Sequence, residues 1–263
     1  FFKQKTAYEI SACLVGSGKT RVLTHRVAHL IASGVHPMNI IAITFTNKAA
    51  EEMRGRVRAL VGDVANKMWV STFHAACVRI LRATADRLGY PKSFTIYDSA
   101  DSQRLVSQII RDLNLDPKRF PAKGAQARIS LWKNELVNPS GATDTAFGPF
   151  ETKYAEIYTE YQHRLMKAGA MDFDDLLINV VKLFREHADV LAAYQERFKH
   201  VLVDEYQDTN LAQNEIVLLL GREHHNVCVV GDTDQSIYAF RGADYRNILQ
   251  FERAFPDVYT VVL

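Results

Sequence analysis

The sequence has few cysteines, only three in 263 residues. Cys13, Cys77 and Cys228 are too few and too far apart for a disulfide framework or a cysteine-based zinc site, which indicates a reducing cytoplasm. Because free cysteine is usually buried, we interpret Cys77 and Cys228 as small apolar residues of the core.

Long apolar runs and an excess of one charge are also missing. No run approaches the roughly 20 apolar residues of a membrane-spanning helix, and the first ten residues lack the pattern of a secretory signal. The formal net charge is +2, so a nucleic-acid surface would have to consist of local contacts. With 48% hydrophobic residues and no repeats, the composition indicates a soluble globular chain without a membrane role.

Apolar periodicity predicts strands that alternate with helices. Helical spacing covers residues 21–33 and 48–60, and short apolar runs typical of buried strands cover 40–45, 68–71, 199–203 and 226–230. Such alternation predicts a parallel α/β sheet whose ligands bind at the carboxyl ends of its strands. Residues 84–170 are dominated by helical segments with interspersed prolines, which predicts an all-helical insertion.

The opening segment does not fit this pattern. A strand should lead into the glycine-rich turn at 16–20, but residues 3–9 are polar and without strand periodicity. We therefore expect residues 1–15 to be an atypical, foreign or truncated start.

The run Gly16-Ser17-Gly18-Lys19-Thr20 has the chemistry of a phosphate loop. Its glycines let backbone amides surround a phosphate at a helix N-terminus, Lys19 would reach the β- and γ-phosphates, and Thr20 would ligate Mg²⁺. Cys13 stands where this motif has glycine or alanine. The alternative is a glycine turn before a surface lysine.

Two apolar strands deliver polar side chains to the same sheet edge. Asp204 and Glu205 follow the strand at 199–203; Asp204 would hold Mg²⁺, and Glu205 would orient or deprotonate an attacking water. Gln235, after the strand at 226–230, would contact a γ-phosphate as an uncharged amide. The alternatives are two solvated acids and a helix-capping glutamine.

Longer motifs around these residues resemble superfamily-one helicases of the UvrD/Rep/PcrA group. The resemblance runs from about residue 16 to 263, and five segments carry it: TFTNKAA at 44–50, STFH at 71–74, MDFDDLL at 171–177, DEYQD at 204–208 and GDTDQSIYAFRGA at 231–243. It implies a RecA-like P-loop NTPase domain, with Lys19 and Thr20 on the triphosphate and magnesium, and Arg21 beside the adenine.

The resemblance also implies a path for single-stranded DNA. Phe45, Thr72 and Phe240 match the family's DNA contacts, and aromatic faces hold stacked bases regardless of sequence. Residues near these three are expected to position the DNA or to contact its phosphates. These neighbours are Asn47, Lys48, His74, Tyr238 and Arg241. For the aromatic residues Phe45, Tyr238 and Phe240, the alternative is packing in the core.

We therefore expect a RecA-like domain at 16–83 and 171–263, a helical subdomain at 84–170, and no second motor domain. The resemblance implies an ATP- and Mg²⁺-dependent 3′–5′ DNA helicase in DNA repair or replication. Its partners would be single-stranded DNA and single-strand/duplex junctions, together with other repair or replication proteins. Because the second wall of the cleft is missing, the isolated chain should be weakly active. The alternative is a P-loop ATP-binding switch module, or a helicase-nuclease subunit without motor activity.

Overall fold

A computed structural model describes residues 9–12, 18–231 and 246–262. The chain divides into two compact units, one formed by 1–76 with 183–263 and the other by 77–182. The predicted helical insertion at 84–170 lies within the second unit.

The first unit contains a six-stranded sheet in the order β3-β2-β6-β7-β1-β8. All of the strand pairings in it are parallel, as predicted. The strands are β1 (Glu9–Ala12), β2 (Ile40–Thr44), β3 (Trp69–Thr72), β6 (His200–Val203), β7 (Val227–Val230) and β8 (Tyr259–Val262).

The central strands are apolar because helices cover both faces of a parallel sheet. Every residue of β2 and β7 is buried. The flanking helices are α1 (Lys19–Ala32), α2 (Asn47–Val61), α9 (Ala188–Arg197), α10 (Leu211–Gly221) and α11 (Arg246–Ala254).

The strand β1 lies within residues 1–15, which the sequence set apart as an atypical start, and it pairs with both β7 and β8. Cys77 and Cys228 are free and buried, as predicted, while Cys13 lies outside the described residues.

The second unit is built from helices around a core of its own. Four helices lie entirely within it: α4 (Ser99–Asp112), α5 (Ala122–Asn134), α6 (Pro139–Thr145) and α7 (Gly148–Lys167). Two more, α3 (Phe73–Thr84) and α8 (Phe173–Glu186), have most of their residues in it. A short parallel pairing joins β4 (Thr95–Ile96) to β5 (Ala170–Met171). Among the described residues, no helix of either unit has the length and apolar character to span a bilayer.

Candidate functional site

The helix α1 begins at a glycine in the left-handed backbone region. Gly18 has φ 85° and ψ 16°, which glycine adopts without strain. None of residues 19–22 is acidic, so the amides and the helix dipole at this end favour an anion. Arg21 is exposed in the same turn. The Lys19 side chain, Gly16 and Ser17 lie outside the described part of the chain.

A hydrogen bond joins this helix to the end of β6. Thr20 Oγ1 donates to Asp204 Oδ2 at 3.0 Å, across 184 residues of sequence. Asp204 is buried, and its backbone amide donates to the Ile43 carbonyl of the adjacent strand at 2.9 Å. The structure therefore brings together the two residues that were predicted to ligate a metal.

The two oxygens fit a magnesium ion. Mg²⁺ prefers hard oxygen ligands at about 2.1 Å in octahedral geometry, which places neighbouring ligand oxygens about 3 Å apart. The Thr20 hydroxyl and the Asp204 carboxylate meet this condition at 3.0 Å. Both groups can turn toward a cation, since the hydroxyl oxygen also accepts.

Glu205 follows Asp204 in a left-handed conformation, with φ 51° and ψ 45°. A non-glycine residue seldom adopts this conformation, and functional sites are where it concentrates. The Glu205 amide donates to Asp204 Oδ1 at 3.1 Å, and Gln207 Nε2 donates to Glu205 Oε2 at 2.8 Å. The acidic pair is thus held by its own turn.

These groups line a cavity of about 340 Å³ at the carboxyl edge of the sheet. Its lining comes from three parts of the chain. These are Thr20 of α1, the residues after β2 together with one face of α2, and the turn that follows β6. Its lining residues are Thr20, Phe45, Thr46, Ala49, Glu52, Arg56, Asp204, Glu205, Gln207 and Asp208.

The predicted DNA contacts of the described residues lie at the ends of two neighbouring strands. Thr44 of β2 is the register partner of Thr72 of β3, so both strands end at the same level. Phe45 follows β2 and is half-buried, and Asn47 and Lys48 are exposed at the start of α2. Thr72 is buried, and its hydroxyl accepts a backbone amide of α3 at 3.3 Å.

His74, in the first turn of α3, is half-buried. Burial lowers the pKa of its imidazole, which favours the neutral ring. At neutral pH this side chain would therefore act through hydrogen bonding rather than through positive charge.

Comparison with known proteins gives the family. Residues 6–256 match the UvrD/REP helicase N-terminal domain, which covers nearly the whole chain. The chain belongs to this helicase family. The resemblance to the UvrD/Rep/PcrA group is thereby confirmed, and so is the RecA-like α/β fold.

Several relatives of this UvrD/REP domain are named ATP-dependent DNA helicase PcrA. Identity is 48% over 249 residues with the protein of Bacillus subtilis (strain 168) and 49% over 249 residues with that of Staphylococcus aureus (strain Mu50). The protein of Leuconostoc citreum is 50% identical over 250 residues. Each match covers 94% of this chain, and the chain spans about a third of the length of these relatives.

Part of the predicted site of this UvrD/REP domain lies outside the described residues. Gln235, the predicted γ-phosphate contact, is among them. So are three of the predicted DNA contacts, Tyr238, Phe240 and Arg241.

The cavity also contains residues that the sequence analysis did not assign. Glu52 and Arg56 lie on the face of α2 that carries Ala49, and their side chains approach to 3.7 Å. The spacing of 49, 52 and 56 places all three on one helical face and is the signal that could have found them. Gln207 is within the DEYQD motif, but its contact with Glu205 depends on the local turn.

Proposed function

We propose that this chain is the ATP-binding and ATP-hydrolysing core of a DNA helicase. The parent activity is ATP-dependent 3′–5′ movement along single-stranded DNA with separation of the duplex, in DNA repair or replication. The observation that carries the proposal is the Thr20–Asp204 hydrogen bond beside Glu205 in one cavity. The free cysteines Cys77 and Cys228 suit a cytoplasmic protein.

The phosphates of ATP bind at the start of α1. Backbone amides after Gly18 face them, Lys19 supplies positive charge, and Gly16 and Ser17 complete the loop, while Arg21 is proposed to lie beside the adenine. Thr20 and Asp204 hold Mg²⁺, which neutralises phosphate charge when it is bound. Gln235 would contact the γ-phosphate and so distinguish triphosphate from diphosphate.

Glu205 is the residue proposed to act on the attacking water. Its carboxylate lines the same cavity as Thr20 and Asp204, so a water there can lie within hydrogen-bond reach of it. Glu205 would orient this water and accept its proton. A pure binding module has no need of such a group, which favours the enzyme over a switch module.

Single-stranded DNA is proposed to lie along the ends of β2 and β3. Phe45 offers an aromatic face for base stacking, worth about 1 to 3 kcal/mol per base by alanine substitution. The exposed Asn47 and Lys48 supply polar and phosphate contacts, and Thr72 and His74 hydrogen bonds. Tyr238, Phe240 and Arg241 are proposed as further DNA contacts. Single-strand/duplex junctions are the proposed substrates.

Replacing Glu205 by Gln tests the proposal in the full-length protein that carries this chain. The amide keeps the size of the side chain but cannot accept a proton, so DNA-stimulated phosphate release should fall at least about 100-fold. Mg-ATP affinity, measured by fluorescence titration, should stay within about threefold, because Glu205 is not a phosphate contact.

The matched control is Glu215→Gln on α10, where the acid pairs with exposed Arg185 instead of lining the cavity. The unsubstituted protein should unwind duplexes with a 3′ single-stranded tail and not those with a 5′ tail. Undiminished hydrolysis by the Glu205 variant would contradict the assignment of this residue. An unsubstituted protein without DNA-stimulated hydrolysis would contradict the proposed function as a whole.

A further inference from the structure

Gln207 lies between the acidic pair Asp204 and Glu205 and the carboxyl end of the neighbouring strand β7. It belongs to the 3₁₀ turn Tyr206–Asp208 and is 2% exposed. On one side its Nε2 donates to Glu205 Oε2 at 2.8 Å. On the other side it meets Gly231, the residue after β7.

A side chain at Gly231 would displace the end of the Gln207 side chain. A Cβ atom on Gly231 would lie 2.8 Å from Gln207 Oε1 and 3.3 Å from the Gln207 amide nitrogen. The first distance is shorter than real Cβ contacts allow. Gly231 does not have a positive φ, so close approach, and not backbone conformation, is what requires glycine.

The chemistry of its neighbours fixes the direction of the Gln207 amide, whose Nε2 also lies 3.5 Å from Asp208 Oδ2. A carboxylate oxygen accepts hydrogen bonds, so the NH₂ group faces Glu205 Oε2 and the carbonyl oxygen faces Gly231. A turned amide would place two acceptor oxygens against each other. The Gln207 side chain is therefore held in one orientation by contacts at both ends.

We propose that Gln207 is a positioning residue for Glu205, and that Gly231 maintains its position. This inference rests on the proposed role of Glu205 in ATP hydrolysis. Gln207 restrains one carboxylate oxygen, so the carboxylate presents its other oxygen in a fixed direction within the cavity. Displacements on the order of 1 Å from productive geometry can lower a rate about 100-fold, so this restraint acts on turnover.

A purely structural role for Gln207 makes a different prediction. A buried side chain that only fills space can be replaced by an apolar one of similar volume at small cost. Methionine has the length of glutamine and no amide donor. Gln207→Met therefore separates hydrogen bonding from packing.

The experiment uses the full-length protein that carries this chain. For Gln207→Met we expect kcat of DNA-stimulated ATP hydrolysis to fall at least about 10-fold, while the KM for ATP changes less than about threefold. The matched control is Gln195→Met: Gln195 is also buried in this unit, but its Nε2 donates to the Leu219 carbonyl at 2.8 Å. The control should keep its kcat.

A double-mutant cycle with Gly231 provides the second measurement. Gly231→Ala alone should lower kcat about 10-fold, because its methyl group displaces the Gln207 amide. In a Gln207→Ala background the conflicting oxygen is gone, so the same change should lower kcat less than about threefold. Independent, multiplying effects would overturn the inference.

Three further outcomes also test the positioning role of Gln207. A Gln207→Met protein with half or more of the original kcat overturns the positioning role. A thermal midpoint well below that of Gln195→Met assigns Gln207 to folding and also overturns it. If the unsubstituted protein does not hydrolyse ATP, the proposed function fails, whereas failure of Gln207 alone leaves that function intact.

Discussion

The MDFDDLL segment places a buried acidic pair next to one buried lysine in the second unit. Lys133 Nζ lies 2.7 Å from Asp172 Oδ2 and 2.8 Å from Asp175 Oδ1, and Lys133 and Asp175 are fully buried. Burial alone would lower the pKa of Lys133, but the two carboxylates raise it well above its usual value. Burial raises the pKa of Asp175 to about 7. The lysine thus stays charged and compensates the acids.

We predict that Lys133→Met destabilises the chain by about 3 to 5 kcal/mol, since it leaves the buried Asp172 carboxylate, whose pKa Lys133 lowers against the effect of burial, without its counter-charge. Urea unfolding, followed by the fluorescence of the neighbouring Trp132, measures this change. Adding Asp172→Asn and Asp175→Asn should restore part of the loss, because no buried charge then remains.

The control for this prediction is Lys153→Met. Lys153 pairs with Glu156 at 2.6 Å, but both side chains are more than two-fifths exposed. An exposed pair contributes at most about 1 kcal/mol. Equal losses from the two lysine variants would show that burial does not govern the Lys133 contacts.

At this scale the sequence predicted the residues whose chemistry follows from local spacing. Thr20, Asp204 and Glu205 each end or begin a periodic segment, and the structure brings them to one cavity. The contacts of Lys133 with Asp172, 39 residues away, were not predictable, because no rule of parallel sheets brings these two positions together. Such a pairing depends on how α5 packs on the start of α8, which periodicity does not encode.

The packing of α10 on the sheet depends on one glycine. Gly221 is the last residue of α10 and is buried. A Cβ atom there would overlap Val227 Cγ2 of β7 and lie 3.0 Å from Phe255 Cζ. Protein interiors are close-packed. Val227 therefore cannot move without disturbing the sheet, and Phe255 cannot move without disturbing the end of α11.

We predict opposite effects for two glycine-to-alanine changes. Gly221→Ala should destabilise the first unit by about 1 to 3 kcal/mol through overpacking. Gly55→Ala, in the exposed interior of α2, should stabilise by about 0.5 to 1 kcal/mol, because nothing lies within 4 Å of the added methyl group.

Urea titrations of both variants, followed by the fluorescence of Trp69, test this pair. Val227→Ala combined with Gly221→Ala should recover part of the loss by removing the overlapping methyl group. If Gly221→Ala is as stable as the unsubstituted chain, the close approach of α10 to β7 is wrong.

Strands with continuous β-branched runs were the predictable elements. The predicted 40–45, 68–71, 199–203 and 226–230 correspond to β2, β3, β6 and β7 within about one residue at most ends. The strand β1 was missed because Glu9–Ala12 is short and follows a polar segment, and β8 was not predicted either. The pairing of β1 with β7 and with β8 is a tertiary property.

At the scale of the whole molecule, each unit contains a buried hydrophobic cluster among its described residues. One core gathers residues of α1, α2 and the sheet, including Leu23, Met53 and Val70. The other gathers residues of α4, α5 and α7. The two tryptophans of the chain divide between the units, with Trp69 on β3 and Trp132 on α5. Each unit therefore has its own fluorescence reporter.

We predict that Mg-ATP stabilises the first unit selectively. The candidate site residues Thr20, Asp204 and Glu205 all belong to that unit. A ligand at about ten times its dissociation constant adds about 1.4 kcal/mol to the state that binds it. For a unit of this size the shift in Tm is about 3 to 6 °C. In Trp132→Phe, which retains Trp69, the fluorescence-detected Tm should rise by this amount.

In Trp69→Phe, which retains Trp132, the Tm should move by less than about 1 °C, because the ligand does not contact the second core. Chelation of magnesium with EDTA, or the change Asp204→Asn, should remove most of the shift seen by Trp69, because Thr20 and Asp204 hold the metal through oxygen ligands. Equal shifts at both tryptophans would mean that the two cores unfold as one cooperative body. A shift that persists without magnesium would place the metal somewhere other than at Thr20 and Asp204.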